Sequence, residues 1–160
     1  MTVHGIPSHR AHVASHDGER TFGRELCRRH GAALTQVAWL LLGDDDAVDD
    51  VVSDTIAAAC RLADRPDRHD VTRVHLARSV YHRCLGRLAT YERFAFRAGR
   101  VAAHHRGLRN SVLSDDQRAA VALVVFGGHD RLQAADTLNL LPVVVTRHLR
   151  DAASTLTSLV

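Results

Sequence analysis

Lysine is absent from this 160-residue chain, and all 21 of its basic residues are arginine. That bias suits a GC-rich coding sequence as well as it suits phosphate binding, so only the placement of the arginines is informative. Cysteine is scarce. Cys27, Cys60 and Cys84 are odd in number, widely spaced and form no CxxC pair, which argues against a disulfide framework and for a reducing, cytoplasmic setting. Cys27 and His30 stand three apart, and His104-His105 would complete a metal set only by chance. Packed thiols and abundant histidines explain them better, and no metal is expected. The longest apolar run, Ala119 to Phe126, has the length of a core helix and falls short of the ~18 residues of a membrane span. No membrane association is therefore expected. Missing too are a Gly-rich phosphate loop, a nucleophile elbow and an HExxH motif. No catalytic residue and no cofactor is expected, and the chain does not read as an enzyme.

Charged residues make up 24% and the hydrophobic set 46%, a globular balance. The opening MTVHGIPSHRAHVASHDGER is polar and His-rich, without the apolar segment of a signal peptide, and reads as a disordered tail over 1–20. Charge is unevenly spread. Residues 44–60 hold six Asp and no Arg, whereas residues 61–109 hold twelve Arg against four acids. The basic middle third has the footprint of a polyanion-binding surface. The acidic block before it must face something else. A Ca²⁺ loop is a poor reading of Asp44 to Asp46 and Asp49-Asp50, because the ligand spacing is wrong and the acids suit a helix start.

Periodicity predicts helix throughout and no convincing strand. A first helix is expected from about Thr21 to Leu42, with Leu26, Leu34, Val37, Trp39, Leu41 and Leu42 on its apolar side and Gly43 as its stop. A second should run to about Leu62, with Val48, Val51, Val52, Thr55, Ile56 and Ala59 on one stripe. Residues 63–70, broken by Pro66, read as a loop. A third helix from about Val71 carries Val74, Leu76, Ala77, Val80, Cys84, Leu85 and Leu88. Beyond it, YERFAFRAGRVAAHHRGLRN reads equally as helix or linker. Ser114 to Gln117 forms a capping box, and the helix it opens should end at Gly127-Gly128. Asp130 and Gln133 repeat that box for a short helix to Leu138, and Pro142 opens the last one. The run Val143 to Val145 is β-branched, yet too short to be preferred as a strand.

Ala135, Asn139 and Val145 have the spacing of a helix-turn-helix: a small residue at the crossing, a residue tolerant of positive φ in the turn, and an apolar pin on the second helix. Alone the signal is weak, since helical hairpins of this spacing occur without DNA.

The order of segments adds more. LLGDDDAVDDVVSDTIAAAC, then RSVYHRCLGRL, then LSDDQRAAVALVVFGG and LQAADTLNLLPVVVTRHLRDAASTL make roughly residues 22–157 resemble an extracytoplasmic-function (ECF) bacterial sigma factor. The resemblance implies an all-α chain of two small lobes: a tail over 1–20, a region-two-like helical domain over 21–92, a basic linker over 93–112 and a region-four-like helix-turn-helix domain over 113–160. It implies binding to core RNA polymerase through the β′ clamp helices, by Asp46, Asp49, Asp50, Ser53 and Asp54. It also implies that the loop 63–73 and the next helix meet the melted minus-ten strand of promoter DNA, with Arg78, Tyr81, His82, Arg83 and Arg87 as contacts. Thr146, Arg147, His148 and Arg150 would enter the major groove at the minus-thirty-five element. An anti-sigma factor is a further implied partner.

The chain departs from the family pattern at the DNA-reading positions. His82 stands where Asn is common, and Gly86 where Asp is common. The recognition helix opens Leu141-Pro142-Val143-Val144-Val145-Thr146 in place of Ser-x-Gly-Thr-Val-Lys, and apolar groups cannot donate to phosphate. Residues 110–160 carry four Arg against five acids, so this lobe should hold duplex DNA weakly by itself. Two functions therefore compete: a promoter-specificity subunit, and a sigma-like adaptor or mimic that binds polymerase or a regulator without reading promoters independently.

Overall fold

The computed structural model describes residues 9–63, 71–97 and 112–158, with side chains over 18–61, 71–93 and 112–158, and among these it is helical with no strand. Six helices follow in order: α1 (His9–Leu42), α2 (Asp45–Ala63), α3 (Arg73–Arg97), α4 (Asp115–Val121), α5 (Arg131–Leu138) and α6 (Pro142–Thr157). The all-α, two-lobed class expected from the sequence is the one observed.

Local chemistry sets the helix ends. Gly43 takes φ 63° and donates its N–H to the Trp39 carbonyl at 2.9 Å, closing α1 in the left-handed conformation that glycine adopts without strain. Asp44 caps α2 by accepting from the Ala47 N–H at 2.8 Å. Both predicted capping boxes form. Ser114 accepts from the Gln117 N–H at the start of α4, and Asp130 does the same from Gln133 at the start of α5.

Several expectations need adjustment. Helix α1 begins at His9, well before Thr21, so residues 9–20 are helical rather than a disordered tail. No proline falls between Pro7 and Gly43, and the stretch supplies Ala, Arg and Glu, which favour helix without needing a core contact. Helix α3 continues through YERFAF to Arg97. The loop at 64–70, the remaining linker at 98–111, and His104 with His105 lie outside the described residues. Helix α4 passes into a π turn over Ala122–Phe126, which closes with the Gly127 N–H donating to the Ala122 carbonyl at 2.8 Å. Trp39, assigned to the buried side of α1, is 48% exposed, and Leu85 of α3 is also exposed.

The core is one continuous body. Leu34, Val37 and Ala38 of α1, Val48 and Val51 of α2, and Ala77, Val80 and Cys84 of α3 pack in the same cluster as Ala120, Leu123, Ala134, Ala135 and Val145 of the C-terminal lobe. Helix α1 meets α2 and α3 on one side and α4 with the π turn on another, so the second lobe sits directly on the first. At this seam a Cβ on Gly127 would lie 2.9 Å from the Ala77 Cβ and 2.6 Å from the Leu123 carbonyl oxygen. Only glycine allows so close an approach of the turn to α3.

Candidate functional site

Three groups of side chains carry the functional expectation: the acids of α2, the basic face of α3, and the α5–α6 pair. On α2, Asp46, Asp49, Asp50, Ser53 and Asp54 are all exposed, because the buried stripe of this helix runs instead through Ala47, Val48, Val51, Thr55 and Ile56. Thr55 satisfies its buried hydroxyl by donating to the Val51 carbonyl at 2.8 Å.

Three arginines of α3 are paired with acids. Arg87 Nη2 lies 2.8 Å from Asp50 Oδ2, and Arg83 Nη1 lies 3.8 Å from Asp54 Oδ2, so two acids of the proposed polymerase face bridge to two arginines of the proposed strand face. The Asp50 carboxylate raises the Arg87 guanidinium above its ordinary value, opposed by burial and helped by the Tyr91 hydroxyl. Between α2 and α3 lies an open groove of about 460 Å³, whose walls include Arg83, Arg87 and Tyr91. Gly86 also lines it, with open space where a Cβ would stand. Arg78, farther toward the N-terminus of α3, ion-pairs with Asp136 of α5 across the lobe boundary.

Tyr81, expected as a stacking platform, is a core residue instead. Ala77, Val80, Tyr81 and Cys84 form the buried stripe of α3, so the ring points inward, and burial followed by the Asp116 charge raises its hydroxyl above the usual range. Its neighbour His82 meets it edge-on, ring centroids 5.4 Å apart, and is the exposed ring of the pair.

The α5–α6 pair has the geometry the spacing predicts. Asn139 adopts φ 54°, ψ 45° at the end of α5, and Leu140 donates to the Ala135 carbonyl at 2.9 Å. Ala135 and Val145 are buried where the helices cross. On α6, Arg147 and Arg150 are exposed, while Thr146 and His148 are half-buried. The Thr146 hydroxyl donates to the Pro142 carbonyl at 2.9 Å. Four large apolar side chains of this pair face solvent: Leu132 at 70%, Leu141 at 67%, Val143 at 70% and Leu156 at 45% exposure.

One residue of the seam had no signal in the sequence. His129, in the Gly-Gly-His-Asp turn, is buried against α3 and the π turn, with the Leu123 and Gly127 carbonyls close to its ring. Among the described residues no group of three or more His, Cys, Asp and Glu side chains is placed to hold a metal. No helix among them is long and apolar enough to cross a membrane.

A two-lobed helical chain whose second lobe is a helix-turn-helix defines the class. The solved structure of CnrH in complex with the cytosolic domain of CnrY matches it at 30% identity, with a TM-score of 0.58, over 93% of this chain and 93% of that one. CnrH is an ECF sigma factor, and this chain belongs to that family. No protein-family model matches the chain, and no curated protein matches it.

Proposed function

We propose that this chain is an ECF-type sigma factor acting in the cytoplasm: it docks on core RNA polymerase and directs promoter recognition and transcription initiation. The observation that carries this reading is the likeness to CnrH along 93% of both chains, across the acidic α2, the basic α3 and the helix-turn-helix in their expected order. In this reading Asp46, Asp49, Asp50, Ser53 and Asp54 face the β′ clamp helices. Arg78, His82, Arg83 and Arg87 contact the melted minus-ten strand, mainly through phosphate. Arg147, Arg150, Thr146 and His148 address the minus-thirty-five element. An anti-sigma factor is the natural regulator, since CnrH was captured with the cytosolic domain of CnrY. Nothing in the reading calls for catalysis.

One set of observations favours a second reading, a sigma-like adaptor that binds polymerase or a regulator without independent promoter reading. Arg78, Arg83 and Arg87 are all engaged by aspartates, and the start of α6 presents Leu141 and Val143 in place of hydrogen-bond donors. Reconstitution with core polymerase separates the two. A promoter-specificity subunit protects and transcribes defined genomic sites, and Arg83→Ala with Arg87→Ala weakens both. Stable polymerase binding without any protected or transcribed site would leave the adaptor.

A further inference from the structure

Two of the three cysteines meet across the α1–α2 pair, a contact that their spacing along the chain does not announce. Glu19, Gly23 and Cys27 recur at four-residue steps and share one face of α1. Cys60, near the C-terminal end of α2, is half-buried opposite that face. Gly23 fixes the separation: a Cβ there would lie 3.1 Å from Cys60 Sγ, nearer than side chains ordinarily pack. Because Gly23 carries only a hydrogen, the sulfur rests against the α1 backbone, one helical turn from Cys27. The electrostatics agree with that placement. Burial raises the Cys60 pKa first, and charge on Cys27 and on Glu19 raises it further, with Arg61 opposing. Cys60 thus has a neighbour on each side of Gly23, and one of them is a second thiol. Cys27 is exposed to solvent, whereas Cys84 is closed inside the core on α3.

We propose that Cys27 and Cys60 form a reversible dithiol–disulfide site, oxidised by low-molecular-weight disulfides of the glutathione type, whose closure locks α1 to α2.

An odd, scattered set of cysteines excludes a structural framework but leaves room for one regulatory pair. The chemistry is two successive exchanges. Cys27, as thiolate, attacks one sulfur of glutathione disulfide. That bond breaks, a mixed disulfide forms at Cys27, and one glutathione leaves, taking up the proton that Cys27 lost. Cys60, as thiolate, then attacks Cys27 Sγ. The bond to glutathione breaks, the Cys27–Cys60 bond forms, and the second glutathione departs with the Cys60 proton. Two protein thiols lose two electrons, and one disulfide gains them to become two thiols. The order follows from access: solvent reaches Cys27 first, and the raised Cys60 pKa makes that thiol the slower attacker on a free disulfide. Proximity then gives Cys60 the intramolecular step. Rotation about the Cα–Cβ bonds of the two cysteines brings the sulfurs together with the helices in place. The bond closes a loop through the α1–α2 turn and so restrains the unfolded chain. The site stands independently of the sigma-factor reading, and either can fail alone.

Titration of the reduced full chain with mixtures of reduced and oxidised glutathione tests the site. Thiols are counted on the unfolded chain, and peptides are mapped without reductant. Free thiols should fall from three to one, with Cys27 joined to Cys60 and Cys84 still free, and dithiothreitol should restore them all. The oxidised chain should unfold at higher urea, its midpoint raised by about 1 M. Cys27→Ser and Cys60→Ser should each abolish the bond, and Cys84→Ser should keep it. Should Cys60→Ser or Cys84→Ser fail to fold, Cys27→Ser, at an exposed position, decides: Cys60 and Cys84 must then both stay free. An unchanged thiol count overturns the proposal. So does glutathione held at Cys27 without closure, a Cys27 bond between two chains, a bond to Cys84, or an unmoved urea midpoint in the oxidised chain.

Discussion

Arg78 of α3 and Asp136 of α5 are 58 positions apart and form an ion pair across the boundary between the lobes. Both side chains keep substantial exposure, so the pair itself contributes no more than about 1 kcal/mol. Its meaning is positional, because it occupies the arginine at the N-terminal end of the basic face with an acid from the helix-turn-helix lobe. The closure beneath it is held by apolar packing, chiefly Ala77, Leu123 and the α1 side chains of the same cluster.

If one core joins the lobes, they should unfold together. Leu123→Ala, in the π turn at the seam, and Leu34→Ala, in α1, each remove a fully buried side chain. Each should destabilise the chain by about 2–5 kcal/mol in urea unfolding at neutral pH. Both should shift a single transition; two resolved transitions, only one of them moved by Leu123→Ala, would refute a shared core.

Asn139 holds the turn of the helix-turn-helix at φ 54°. Asn139→Gly should leave stability within a few tenths of a kcal/mol, whereas Asn139→Val should lose about 1–2 kcal/mol. Thermal melts of the two variants check this, and equal losses would show that the left-handed turn is not the constraint.

Gly86 sits in the interior of α3, and a Cβ added there would meet nothing within 4 Å. Gly86→Ala should therefore stabilise the chain by about 1 kcal/mol through helix propensity alone. The same substitution narrows the groove beside Arg83 and Arg87, so a simultaneous loss of strand binding would mark the groove as a contact surface.

Thiol reactivity should follow burial. Cys84 is buried among α3 core residues and its pKa is pushed up to about 12 by that burial; Cys27 is exposed. At about pH 8 a thiol reagent should label Cys27 readily and spare Cys84 until the chain unfolds, since the thiolate is the reacting form. Rapid native-state labelling of Cys84 would place it at the surface.

The capping signals were legible in the sequence because they are local. Gly43, Ser114 with Gln117, Asp130 with Gln133, Asn139 and Pro142 act on backbone groups within a few residues of themselves, and each acts as expected. The buried stripe of α2 was legible for the same reason, through its 3.6-residue period. Trp39 was misplaced because periodicity marks a helix face without saying what covers it, and Tyr81 because the family resemblance suggested a strand contact at a position that lies on the buried stripe of α3. Trp39 lies on an open side of α1, and Tyr81 turns toward the core.

By itself, then, the chain of residues determined the helical class, the capped helix ends and the turn of the α5–α6 pair, all products of short-range hydrogen bonding and periodic burial. Tertiary structure decided which charges meet. Asp50 with Arg87, Asp54 with Arg83, and Arg78 with Asp136 depend on how three helices lie against one another. The burial of His129 depends on a close approach between Gly127 and Ala77. These are contacts between distant positions, and no local interaction along the chain encodes them.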